Sequence, residues 1–249
     1  GNVIGLDVNG TRAIVGETIS VSPNYANDRT LGVGTRGQGL WGSTDGGDAW
    51  QPTSTGMAAG DRIRSLAYSP AFATDRTAFA SGDGGRLYKS TDGGVNWNRM
   101  DDGQTDSSVY VVAVSSGYPA DPLLFAGVEG GVLISRDGGA TWALRDPRPD
   151  PEGWFVAPFV VLAPDFASDR TLFVVGTEGG SHYRLYRSTD AGVTWSELPT
   201  PWAGYGGMWF IITADGTLFA GLSWADSDCG ALYRSSDGGS TWQEVGAQV

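Results

Sequence analysis

The sequence predicts an all-β fold built from four-stranded antiparallel blades, and three observations carry that expectation. An octet of the form Ser-x-Asp-x-Gly-x-x-Trp recurs five times, as STDGGDAW (43–50), STDGGVNW (90–97), SRDGGATW (135–142), STDAGVTW (188–195) and SSDGGSTW (235–242). Between the central aspartates Asp45, Asp92, Asp137, Asp190 and Asp237 the spacings are 47, 45, 53 and 47 residues, which suits one blade of about 40–50 residues. No segment carries an apolar stripe of helical period, whereas short runs rich in Val, Ile and aromatics alternate with turn residues throughout. A β-propeller satisfies all three, with five blades preferred and six as the alternative.

The chain opens on VIGLDV-NG-TRAIVGE, where Asn9-Gly10 supplies the positive φ angles of a type I′ hairpin turn. Residues 1–18 are read as this hairpin, either covering the seam of the ring or forming half of a sixth blade. Blades then run over approximately 19–54, 63–101, 109–146, 157–200 and 208–246, within one domain of 1–249. First strands are ISVSP (19–23), IRSLAYSP (63–70), VYVVAVSS (109–116), FVVLAP (159–164) and WFIITA (209–214). Second strands are TLGVG, TAFAS, LLFAG, TLFVVG and TLFAG, whose alternation of bulky and small residues fits packing between blades on both faces. Third strands (GLWGS, RLYKS, VLISR, RLYRS, ALYRS) lead into the octets, and fourth strands start at the octet tryptophans.

The octet suits a tight turn between strands 3 and 4. Ser43, Ser90, Ser135, Ser188 and Ser235 and the five aspartates are placed to bond backbone amides inside the turn, while Gly47, Gly94, Gly139, Gly192 and Gly239 take a conformation that side chains resist. Trp50, Trp97, Trp142, Trp195 and Trp242 then fold back over the hairpin. A second motif, Asp-Arg-Thr at 28–30, 75–77 and 169–171, falls between strands 1 and 2 and reads as a solvated loop with local ion pairs of little worth.

These octets resemble the Asp-box, or BNR repeat, of sialidases, sortilin-type receptors, some glucanases and photosystem assembly factors. The resemblance covers nearly the whole chain and implies that the octets sit at the outer bottom of a propeller, away from the ligand-binding face. Five equivalent carboxylates at one repeated turn do not converge on one substrate, so the octets are read as structural. The resemblance stops short of the sialidase catalytic set: Arg62-Ile63-Arg64 lacks the proline of the early Arg-Ile-Pro motif, and none of those catalytic residues is carried over.

Composition narrows the classes. The formal net charge of -12 opposes binding to nucleic acid, and no apolar run approaches the roughly 20 residues of a membrane-spanning helix. The one cysteine, Cys229, forms no internal disulfide, and with the one histidine, His182, it makes no metal or nucleophile pattern. No signal peptide is recognisable, yet the resemblance to surface propellers points to a secreted, cell-surface or periplasmic monomer. No cofactor or metal site is assigned.

Function is sought on the loops opposite the octets, where variable segments are carried by a rigid frame. Strand 2–3 loops bring Arg36, Asp83, Glu129, Glu178 with His182, and Trp224 with Asp226 and Asp228. Several carboxylates at one end of the ring would suit a hard cation such as calcium, or a basic ligand. The longest blade-linking loops add Trp154, Trp202 and Tyr205, rings able to stack on a sugar or anchor a partner. Glu178, His182, Trp202, Tyr205, Trp224 and Trp154 are thus the expected ligand-binding residues. The expected function is a noncatalytic binding or scaffold propeller recognising a protein, peptide or glycan. The alternative is a sialidase-like or glucanase-like glycoside hydrolase drawing two carboxylates from Asp83, Glu129, Glu178, Asp226 and Asp228.

Overall fold

The computed structural model describes residues 2–6, 13–100, 106–150, 153–178, 182–202, 207–223 and 230–246. Its strands form a five-bladed β-propeller fold. Blade 1 comprises β1 (Asn2–Leu6), β2 (Ala13–Val21), β3 (Leu31–Thr35), β4 (Leu40–Ser43) and β5 (Gln51–Pro52). Blade 2 is β6 (Ile63–Tyr68), β7 (Ala78–Gly82), β8 (Leu87–Ser90) and β9 (Asn98–Arg99); blade 3 is β10 (Val111–Val114), β11 (Leu124–Val128), β12 (Gly131–Ser135) and β13 (Ala143–Arg145). Blade 4 is β14 (Phe155–Leu162), β15 (Leu172–Glu178), β16 (His182–Ser188) and β17 (Ser196–Leu198); blade 5 is β18 (Gly207–Ile212), β19 (Leu218–Ser223), β20 (Gly230–Ser235) and β21 (Gln243–Glu244). Within every blade the strand order follows the chain, a simple meander.

The N-terminal segment extends blade 1. β1 pairs antiparallel with β2 and adds a fifth strand to blade 1, so it is not half of a sixth blade. β2 itself runs from the hairpin into the first strand of blade 1, with a register shift against β3 between Gly16 and Thr18, a bulge that bends the strand without ending it. The Asn9-Gly10 turn lies outside the described residues.

The chain falls into two compact units, one of Gly1–Ala126 with Ser135–Ala143 and the other of Gly127–Ile134 with Leu144–Val249. In the first, Leu40 of blade 1 is buried with Ile63, Leu66, Ala80, Tyr88 and Trp97. In the second, Phe173, Val175 and Leu185 of blade 4 are buried with Met208, Phe210 and Leu222 of blade 5. Each core is therefore the seam between the face of one sheet and the first strand of the next, the arrangement the small residues of the second strands permit. Gly34 makes the point sharply: a Cβ there would meet Ile63 of blade 2 at 2.8 Å.

The Asp-Arg-Thr segments are not solvated loops. Each ends a four-residue helix, α1 (Tyr25–Asp28), α2 (Phe72–Asp75) and α3 (Phe166–Asp169), capped by Arg29, Arg76 and Arg170 in the left-handed region at φ 53, 52 and 58°. The aspartate accepts the amide two residues on, at Thr30, Thr77 and Thr171. The arginines lie over the rings of Tyr25, Phe72 and Phe166, one helical turn back. Their carbonyls accept the amides of Gly46, Gly93 and Ala191 in the octets at 3.0, 2.8 and 3.0 Å. Blade 3 keeps the same clasp without the motif, through Pro122 and Gly138 at 2.9 Å. So the strand 1–2 and strand 3–4 turns of a blade are locked together.

Candidate functional site

The five octets share one geometry. Each serine hydroxyl donates to Oδ1 of its aspartate at 2.7–2.8 Å and accepts the amide of Gly47, Gly94, Gly139, Gly192 or Gly239 at 2.8–2.9 Å. The same Oδ1 accepts the amide four residues after the serine's partner aspartate, at Ala49, Asn96, Thr141, Thr194 and Thr241. Bonds from Asn96, Thr141 and Thr241 hold Asp92, Asp137 and Asp237 at about 2; at Asp190 burial acts upward, but the Thr194 and Ser188 bonds outweigh it and the result is the same. Trp50, Trp97 and Trp142 are buried. These carboxylates are committed to their own turns.

At the opposite end of the sheets the first unit holds a network of arginines and carboxylates. Glu17 on β2 binds both Arg62, which precedes β6, and Arg36, which follows β3, the latter at 2.8 Å. Arg36 and Arg62 also form an isolated antiparallel bridge between blades 1 and 2. Arg64 on β6 binds Asp83, which also accepts the Ser108 hydroxyl at 3.0 Å, and its guanidinium lies 4.9 Å from the centre of the Tyr110 ring. Hydrogen bonds from Arg62 hold Glu17 below the usual carboxylate range; burial raises Asp83, but Arg64 and Ser108 outweigh it and leave that carboxyl lowered too. Below them, buried Asp61 accepts the Tyr88 phenol at 2.5 Å and pairs with Arg86 at 2.8 Å.

The second unit carries its own network around the start of β14. Arg148, buried, forms a fork to Asp146 at 3.0 and 2.7 Å and lies 4.9 Å from the centre of the Phe155 ring. Glu178 is 4.0 Å from Arg148 and receives Arg184 at 3.2 Å, while Arg184 also reaches Glu197 at 2.6 Å. Glu178 stands in register with Phe155 on one side and His182 on the other. Glu129 bridges Val156, the neighbour of Phe155.

The expected site residues thus divide. Glu129, Glu178, His182 and exposed Trp154 gather near the beginning of β14, whereas Asp83 belongs to the network of the first unit. Trp202 does not offer a face to solvent: it is 4% exposed and packs edge-on against Trp242 at 5.0 Å between ring centres. Its loop folds it into the core because a free indole would leave a large apolar surface in water. Tyr205, Trp224, Asp226 and Asp228 lie outside the described residues. Among the described residues no three His, Cys, Asp or Glu side chains stand together as a metal site, and no helix is long and apolar enough to cross a membrane. Arg62, Arg64, Asp61, Asp146 and Arg148 were not expected; the close spacing of opposite charges in Asp146-Pro147-Arg148 was the available signal for the last pair.

A family model described as BNR/Asp-box repeat matches residues 186–197, across the fourth octet. The chain is a β-propeller that carries an Asp-box repeat. Solved structures extend the likeness of fold from that one repeat to the whole chain. A GH74 enzyme of Niastella koreensis superposes with a TM-score of 0.70 at 21% identity, covering 96% of this chain and 42% of the other. YCF48 bound to D1 peptide gives 0.61 at 17%, covering 100% and 75%. A TolB protein of Agrobacterium tumefaciens, itself described as putative, gives 0.65 at 14%, covering 96% and 86%. The chain therefore spans less than half the length of the GH74 chain it resembles. A search of curated proteins by sequence found no match.

Proposed function

We propose that this Asp-box propeller is a noncatalytic binding module that recognises a peptide or protein segment through a carboxylate, taken by the arginine network of the first unit. The observation that carries this reading is the charge balance there among the described residues, where Arg36, Arg62, Arg64 and Arg86 meet Glu17, Asp61 and Asp83. Four cations against three anions make a locally positive spot on a chain of net charge -12, where an incoming anion is least repelled. Arg36 is its accessible member, its side chain 70% exposed while one edge is held by Glu17. A guanidinium so oriented still offers donors to a planar carboxylate.

The state of Asp83 counts against the hydrolase alternative. A glycosidase general acid requires a carboxyl whose pKa is raised, and Asp83 is lowered and engaged by Arg64 and Ser108. Glu178 is likewise met by Arg184. The GH74 likeness is one of fold; the peptide carried by YCF48 is a precedent for peptide recognition on such a frame.

The test is a fluorescence-polarisation screen of acidic peptides, each with a free and an amidated C-terminus, run beside a glycoside hydrolysis screen. Peptide binding that weakens about tenfold in Arg36→Ala, the worth of one charge-assisted hydrogen bond, supports the reading. Glycoside turnover lost in Asp83→Asn overturns it.

A further inference from the structure

In blades 2, 4 and 5 the third strand carries a cation just before the octet serine, in register with a phenylalanine of the second strand: Lys89 with Phe79, Arg187 with Phe173 and Arg234 with Phe219. Two of these cations cross to the next blade. Lys89 Nζ donates to the Gly138 carbonyl at 3.2 Å and lies over the rings of Phe79 and Tyr118, while Arg187 donates to the Gly238 carbonyl at 3.4 Å. In blade 1 both positions are glycine, Gly32 paired with Gly42.

The two missing side chains have different fates. Leu66 and Tyr68 of β6 close over Gly32, where a Cβ would lie 2.7 Å from the Tyr68 hydroxyl. At Gly42 the nearest atom is the Thr53 methyl, 3.0 Å from where a Cβ would sit, and the place of the long side chain stays open. A cavity of about 120 Å³ remains between blades 1 and 2, lined by Gly32 and Gly42 of the one and by Leu66, Tyr68, Arg76 and Trp97 of the other. An apolar cavity of about 150 Å³ takes up benzene, so the space is that of a single ring. Arg76, exposed, brings the cavity to the surface.

Among the described residues no carboxylate lines this cavity, and its one charge is Arg76. That guanidinium lies against Gly93 and over the Phe72 ring but makes no hydrogen bond or ion pair among the described residues. The Tyr68 hydroxyl has no hydrogen bond there either, and burial, with Asp28 near it, pushes the phenol up and keeps it a donor. Asp28 itself is engaged by the Ser22 hydroxyl at 2.7 Å and the Thr30 amide at 2.9 Å. We propose that the cavity is a ligand site for a small aromatic monocarboxylate, its ring in the space left by Gly42 and its carboxylate on Arg76. A flat ring suits a slot bounded on one side by two glycines and on the other by apolar and aromatic side chains, and a guanidinium with open donors takes a carboxylate as a fork. The site lies beside the octets, uses none of the residues of the arginine network, and does not rest on the peptide-binding proposal.

The test is titration calorimetry of the full chain with sodium benzoate, and with benzamide as its uncharged isostere. Benzoate should bind saturably, and benzamide about tenfold more weakly. Gly42→Met fills the slot with a long flexible side chain and adds no charge beside Arg76; it should no longer bind benzoate. Arg76→Gln changes only an exposed position and should weaken benzoate about tenfold while leaving benzamide as it was, so it decides the matter should Gly42→Met fail to fold. Arg36→Ala should bind benzoate as the wild type does, which separates this site from the arginine network. A wild type that shows no saturable benzoate binding overturns the proposal. So does benzoate binding that survives unchanged in folded Gly42→Met or in Arg76→Gln, or that is lost in Arg36→Ala.

Discussion

The phenol of Tyr88 on β8 donates to the buried carboxylate of Asp61, at 2.5 Å, across the junction of blades 1 and 2. Arg86 takes the other oxygen of the same carboxylate, so the connection leaving blade 1 is tied to the third strand of blade 2. Tyr88→Phe leaves a buried carboxylate short of one donor and is expected to cost about 1–3 kcal/mol, read as a lower midpoint in chemical denaturation with an unchanged m-value.

Burial and the Asp61 bond push the Tyr88 phenol up to about 12. A group whose folded pKa is raised stabilises fully below its unfolded value, near 10, and that contribution is lost as pH rises through about 12. Stability followed by circular dichroism should therefore fall between pH 10 and 12, less steeply in Tyr88→Phe than in the wild type.

At the acid end the sign reverses. Asp92, Asp137, Asp190 and Asp237 are all held at about 2, so their contribution is present above about pH 4 and lost as pH falls towards 2. Asp137→Asn should flatten that acid limb and lower the thermal midpoint at pH 7, where the loss of the carboxylate's bonds to Ser135 and Thr141 is felt.

Two glycines at matching positions should answer oppositely to one substitution. Gly34→Ala drives a Cβ into Ile63 and is expected to cost about 1–3 kcal/mol as overpacking. Gly221→Ala meets none of the described residues and should be neutral or stabilise by about 0.4–1 kcal/mol through the unfolded chain. Paired denaturation curves decide it.

Ala191 occupies an octet position that is glycine in the other four, at φ 57°. The left-handed conformation costs a residue with a Cβ about 1–2 kcal/mol. Ala191→Gly is expected to raise the thermal midpoint, by about 2–4 °C per kcal/mol recovered in a domain of this size.

The blades were legible because both of their signals are local: an octet whose serine, aspartate and glycine bond within five residues, and strands whose apolar character needs no distant partner. The short helices at Tyr25–Asp28, Phe72–Asp75 and Phe166–Asp169 left no trace in periodicity, since one turn is shorter than the period that would reveal it. Arg62 and Arg64 stood out in the sequence only as a failed motif. Their partners Glu17 and Asp83 lie 45 and 19 residues away, and only the stacking of blades brings them together. Trp202 was misplaced for the converse reason: a tryptophan in a loop gives no sign of which neighbour will bury it, and Trp242 is 40 positions distant.

The clasp between the Asp-Arg-Thr helices and the octets has a consequence for how such a chain changes over generations. The carbonyl of Arg29, Arg76 or Arg170 and the octet amide that it receives belong to one blade and lie 17, 17 and 21 residues apart. A duplication or deletion whose ends fall after the fourth strands of successive blades carries every clasp intact with its own strands. Blade number is then free to drift by whole blades, while an exchange cut between helix and octet breaks a clasp and is selected against.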